Sequence, residues 1–128
     1  MGGDSSNRLT LSGLGHTWVL DLDGTILKHN GHKTAEGDSF LPHAKEFLSQ
    51  IPKGDLVVFI TSRTDEYRSA TESFLAENAV RYDAIIFNAP YGERILVNDS
   101  KPSGLPMAYC CRLKRDSFDV RFEIDPAL

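Results

Sequence analysis

The sequence predicts an α/β domain built on a mainly parallel sheet, and three observations carry that prediction. Short, continuously apolar runs recur along the chain, as in strands buried on both faces. Two segments with helical apolar spacing lie between them, and strand, helix, strand, helix, strand in succession is the α/β pattern. The composition is that of an ordinary globular protein, with 41% hydrophobic and 25% charged residues, ten Gly and six Pro. That excludes disordered and collagen-like classes.

Taken in order, Met1 to Gly15 reads as a flexible tail, with Leu9 and Leu11 as a possible edge strand, and residues 16–128 read as one domain. The start Met1-Gly2-Gly3-Asp4-Ser5-Ser6 formally fits a myristoylation pattern, but a Gly- and Ser-rich tail explains it better. The apolar runs are Thr17 to Leu20, Leu56 to Ile60, Ala84 to Phe87, Ile95 to Val97 and Met107 to Cys111. Between the first two, Ala44, Phe47, Leu48 and Ile51 recur at i, i+3, i+4 and i+7, with Pro42 placed to start a helix and Pro52 and Gly54 to end it. From Glu66 to Asn78, Tyr67, Ala70, Phe74 and Leu75 form a second stripe behind Asp65 as N-cap. Phe118, Val120, Phe122 and Ile124 alternate with charged residues, as in a half-buried edge strand. These elements amount to a three-layer, Rossmann-like domain.

Charge and cysteine content narrow the class. A net charge of −4 argues against a nucleic-acid partner, which usually shows as a basic excess. No apolar run approaches the roughly 18 residues of a membrane span, so no membrane partner is expected and the expected location is cytoplasmic. Cys110 and Cys111 are adjacent, which encodes neither a disulfide framework nor a zinc site, and they read as small core residues on a strand.

Ligands of open α/β sheets bind at the carboxyl ends of the strands, and the residues there are unusual. The first strand runs into Asp21-Leu22-Asp23-Gly24-Thr25, the second ends in Thr61-Ser62-Arg63, and the Ile95 run ends in Asn98-Asp99-Ser100-Lys101. Two carboxylates leaving a buried strand cost desolvation and mutual repulsion, so a cation or a catalytic use is expected. Each has a blander reading, Asp99 as a turn former and Thr61 as a loop cap. A calcium loop is excluded because Thr25 falls at the fifth position, where an acid or Asn is needed, and Gly24 at the fourth instead of the sixth. The conjunction at three strand ends favours a divalent cation holding a phosphate.

These motifs, from Trp18 to Lys101, resemble those of the haloacid dehalogenase-like (HAD) phosphatases. The resemblance implies an enzyme, a Mg²⁺-dependent phosphomonoester hydrolase of the small capless type. Asp21 would be the nucleophile forming an aspartyl-phosphate, and Asp23 the general acid and base. Mg²⁺ would sit on the Asp21 and Asp99 carboxylates and the Asp23 carbonyl, with Thr61 and Ser62 binding phosphate. The family's lysine between the second motif and Asp99 is missing, and Arg94 or Lys101 is the expected substitute among the nearby cations. Val97 to Gly104 is also similar to predicted hydrolases encoded with bacterial capsular polysaccharide genes, which implies a phosphorylated sugar as substrate. A weak phosphate-binding or regulatory module, and a phosphotransferase or nucleotidase, stand as alternatives.

Gly24 to Leu41 lies between the first strand and the first helix. Asn30-Gly31 signals a hairpin turn there, so this segment is expected to be a short β-hairpin flap, with no room for a cap domain. His29 and His32 could touch substrate or bind a metal, but exposed decoration of that hairpin is the favoured reading, and His16 and His43 are given no role. Asn88 to Glu93 could rim the pocket. With so little to cover it, the site would be open unless a homo-oligomer shields it.

Overall fold

The computed structural model describes residues 7–128. Residues 1–6, including the myristoylation-like start, lie outside the described part. The strands are β1 (Arg8–Leu11), β2 (Thr17–Asp21), β3 (Leu56–Ile60), β4 (Ala84–Ile86) and β5 (Arg121–Ile124). The helices are α1 (Ala44–Gln50) and α2 (Arg68–Glu77), with 3-10 turns at Gly31–Lys33 and Asp65–Tyr67. The architecture is α/β with open parallel sheets. No helix among the described residues is long and apolar enough to cross a membrane.

Two sheets form where one was expected. The order β2-β3-β4 is parallel throughout, with Asp21 opposite Ile60 and Ile60 opposite Ile86. These are the three strongest apolar runs, and α1 and α2 provide the crossovers that parallel pairing demands. β1 and β5 pair in parallel as a separate two-stranded sheet, which places the expected N-terminal edge strand and the end of the alternating segment side by side.

The two sheets meet in an aromatic cluster. Trp18 of β2 packs against Phe47 of α1 at 5.5 Å and Phe122 of β5 at 5.1 Å, and Phe47 stacks on Phe118 at 4.9 Å. The Trp18 indole N–H donates to Asp55 at 2.9 Å, and Asp55 also accepts from the His16 backbone N–H and bonds its Nδ1. Burial pushes the Asp55 carboxyl up, but these hydrogen bonds outweigh it and hold the group below the usual range.

Helix α1 begins two residues later than Pro42 suggested, because His43 takes a left-handed φ of 73° and supplies the carbonyl that Phe47 N–H reaches. It ends at Ile51, whose extended backbone (φ −63°, ψ 126°) is what a following proline imposes. In α2, Thr71 and Leu75 are the buried pair, and Ala70 is exposed. Asp65 opens the 3-10 turn and pairs with Arg68 at 2.9 Å instead of capping.

Three expectations fail in the segment after β4. Ile95 to Val97 is not a strand, and its side chains are 84%, 65% and 88% exposed. Strand preference is realised only against a neighbour, and this run pairs with no strand among the described residues. Met107 to Cys111 is likewise irregular, so Cys110 is exposed and Cys111 half-buried. The chain from Asn98 closes on itself through Asn98 to Met107 O, Lys101 N to Leu105 O and Gly104 N to Lys101 O.

The Gly24 to Leu41 segment folds back over the end of β2. Its base is closed by an antiparallel bridge between Leu27 and Phe40 and by Leu41 N–H donating to Ile26 O. Its tip is a 3-10 turn, not a two-residue hairpin. Asn30 takes φ 58°, whereas Gly31 is used for close approach, since a Cβ there would lie 3.0 Å from Gly37 O.

Candidate functional site

A cleft of about 500 Å³ opens at the carboxyl ends of β2 and β3, roofed by the flap and walled by the loop after β4. Asp21, the last residue of β2, accepts from Thr25 Oγ1 at 3.1 Å and faces Arg94 at 3.8 Å. Burial pushes its carboxyl above the usual range, against the lowering pull of Thr25 and Arg94.

Asp23, two residues on, has a different environment. Arg63, only 4% exposed, donates from Nε and Nη2 to both Asp23 oxygens at 3.0 and 2.9 Å. The same guanidinium forks to both oxygens of Asp38 in the flap at 3.0 and 2.7 Å, and reaches Thr71 Oγ1 of α2 at 2.8 Å. All five of its donors are thus engaged. Burial works against the charge, but the forks to Asp38 and Asp23 more than offset it and raise the guanidinium pKa.

Thr61 is fully buried, with its hydroxyl accepting from Arg63 N–H at 3.0 Å, so it shapes the turn that delivers Arg63. Ser62 lines the cleft, where its hydroxyl donates to Pro90 O at 3.3 Å and receives Arg94 at 3.4 Å. Arg94 also bonds the carbonyls of Pro90 and Gly92 at 2.9 and 3.1 Å, so the rim loop wraps it.

Of the residues singled out by sequence, Asp21, Asp23, Thr61, Ser62 and Arg94 are therefore gathered here. Asp99 and Lys101 are not, because the strand expected to deliver them does not form. Asp99 is exposed, with its N–H bonded to Asn98 Oδ1 at 3.0 Å.

Sequence reasoning passed over Asp38 and Arg115, and placed a metal-binding role for His32 behind exposed decoration. Asp116 N–H donates to Gly24 O and its carboxylate accepts from His29 N–H, both at 2.8 Å, which brings Arg115 into the cleft. His32 is not exposed decoration: its side chain is 6% exposed and the Tyr67 ring meets it edge-on at 4.6 Å. Burial, then the Arg63 charge, lowers its pKa. Asp23, His32 and Asp38 offer ligand atoms within 4.8 Å of one another, a group able to hold a metal ion.

The cleft thus joins carboxylates and guanidinium groups at the strand ends of an α/β domain. No protein-family model and no curated protein matches the chain. Among solved structures it is similar to a chain of the Pnkp1/Rnl/Hen1 complex, with a TM-score of 0.51 and 28% identity over 65% of this chain. It is also similar to a chain of the Pnkp1/Rnl/Hen1 RNA repair complex, at 0.50 and 29% over 63%. This chain spans 31% and 28% of those chains' lengths.

These likenesses overturn the expected family and function. The neighbours are from an RNA repair complex, not HAD phosphatases, so the phosphomonoester hydrolase, its sugar phosphate and the polysaccharide setting are withdrawn along with the alternatives built on the same family. The expected absence of a nucleic-acid partner falls with them. A net charge of −4 is an average over the chain and does not describe the cleft, where Lys33, Arg63, Arg94 and Arg115 stand beside Asp21, Asp23 and Glu66.

Proposed function

We propose that this chain serves RNA repair and that the cleft receives an RNA strand at one of its phosphates. The observation that carries the reading is the likeness to the RNA repair complex, and the cleft supplies a fitting place. Arg94, Ser62, Arg115 and Lys33 line the cleft with groups able to donate to an anion. Charged donors to phosphate contribute more than neutral ones. Asp23 and Thr61 hold Arg63 in place and do not themselves meet the anion.

Mg²⁺ is part of the proposal, at Asp21. A hard ion is typically held by one or two carboxylates plus substrate phosphates and keeps several waters. Asp21 offers such an oxygen, since its Oδ1 lies 3.8 Å from Arg94, beyond hydrogen-bond reach. Bound there, Mg²⁺ would offset the repulsion between the carboxylate and the RNA phosphate. The finer fold reading, a three-layer Rossmann-like domain, also belongs to the proposal and is supported by the parallel β2-β3-β4 order.

The test is fluorescence anisotropy of short single-stranded RNAs with phosphate or hydroxyl ends, with Mg²⁺ and with chelator. Binding that Mg²⁺ strengthens, and that inorganic phosphate at a concentration equal to that of the RNA does not displace, is the expected result. No binding to any RNA, or equal competition by free phosphate, would remove the reading.

A further inference from the structure

We propose that Asp23, His32 and Asp38 form a second cation site, for a borderline transition-metal ion of the Zn²⁺ class, separate from Asp21. Three acid or imidazole groups in proximity are common without an ion, so the argument rests on His32. Its side chain is 6% exposed, and its Nδ1 is buried with no hydrogen-bond partner. A buried polar atom left unpaired is destabilising, so this nitrogen calls for a partner. The nitrogen is aimed into the cluster, 3.5 Å from Asp23 Oδ1. Tetrahedral zinc with bonds near 2.0–2.1 Å sets its ligand atoms about 3.4 Å apart, so this pair already has the spacing of two vertices. Asp38 closes the third side, within 4.8 Å.

Arg63 is compatible with such an ion. It donates one hydrogen bond to each of the four carboxylate oxygens, and each oxygen keeps a second lone pair. Metal-bound carboxylates are ordinarily held by such outer donors. The guanidinium also lowers the cluster's charge from two negatives to one, and with an imidazole donor this disfavours Mg²⁺ or Ca²⁺ and suits zinc-like ions. The site does not depend on the RNA reading, because metal uptake is measured without RNA.

The test is equilibrium dialysis of chelator-treated protein against Zn²⁺ or Mg²⁺, in a Cys110→Ser, Cys111→Ser background that removes the neighbouring thiols as competing ligands. One Zn²⁺ per chain is expected, with affinity reduced at least tenfold in His32→Ala and in Asp38→Asn, and with no Mg²⁺ retained by this cluster once Asp21→Asn is added. Zinc uptake that vanishes with the cysteines, or that is unchanged by His32→Ala, would overturn the proposal. Should the variants fail to fold, Co²⁺ added to the cysteine-free parent decides. A tetrahedral ligand-field absorption supports the site, and its absence overturns it.

Discussion

The two arginines that face the cleft carboxylates are held in opposite ways. Arg63 is buried, spends all five donors on Asp23, Asp38 and Thr71, and ties β3, the flap and α2 together. Arg94 has a side chain 40% exposed, leans on the carbonyls of its own loop and stops 3.8 Å short of Asp21. One charge is consumed by the fold, and the other is the one that the proposal gives to a ligand. Like charges at one site therefore predict different losses when removed.

Arg63→Ala should break the comparison most severely. It leaves Asp23 and Asp38 uncompensated, and removing one partner of a buried ion pair costs about 3–5 kcal/mol, read as a lower urea midpoint. Retained stability would mean that the clamp is not structural. Asp55→Ala comes next, at about 1–3 kcal/mol for the buried Trp18 and His16 donors it strands, checked by the same titration.

The Asp55 carboxyl also sets a pH dependence. Its folded pKa is depressed, so its contribution is complete above the ordinary carboxylate range and is lost as pH falls through that range to the folded value. The acid limb of a stability profile should flatten in Asp55→Asn, and an unaltered limb would remove Asp55 as its source. Arg94→Ala should change stability least, within about 0.5 kcal/mol as for other exposed substitutions, with thermal unfolding as the measure. A larger loss would make Arg94 as structural as Arg63.

Much of the scaffold was legible because each element had a local cause. Leu56 to Ile60 is apolar throughout and became the central strand. Ala44, Phe47 and Ile51 share a helical face and became core. Ile95 to Val97 looked like a strand on the same grounds, but a run of three had no partner to make it one. At the site, Asp21 and Asp23 were conspicuous as acids leaving a buried strand. The Arg63 to Asp38 fork was not, because it joins residues 25 apart and exists only once the flap has folded. Thr71 was hidden similarly, a polar residue on the buried face of α2 whose partner lies eight residues earlier. The signal that was available was Arg63 itself, a cation directly after a buried strand with carboxylates at the end of its neighbour.

The central claim, that Arg94 and not Arg63 meets RNA phosphate, is tested most directly by salt dependence. Affinity for a phosphorylated single-stranded RNA would be measured over a range of salt concentrations for the parent and for Arg94→Ala. Loss of one phosphate contact should weaken binding about tenfold at low salt and reduce the slope of log affinity against log salt by about 0.7. An unchanged slope and affinity in Arg94→Ala would contradict the account.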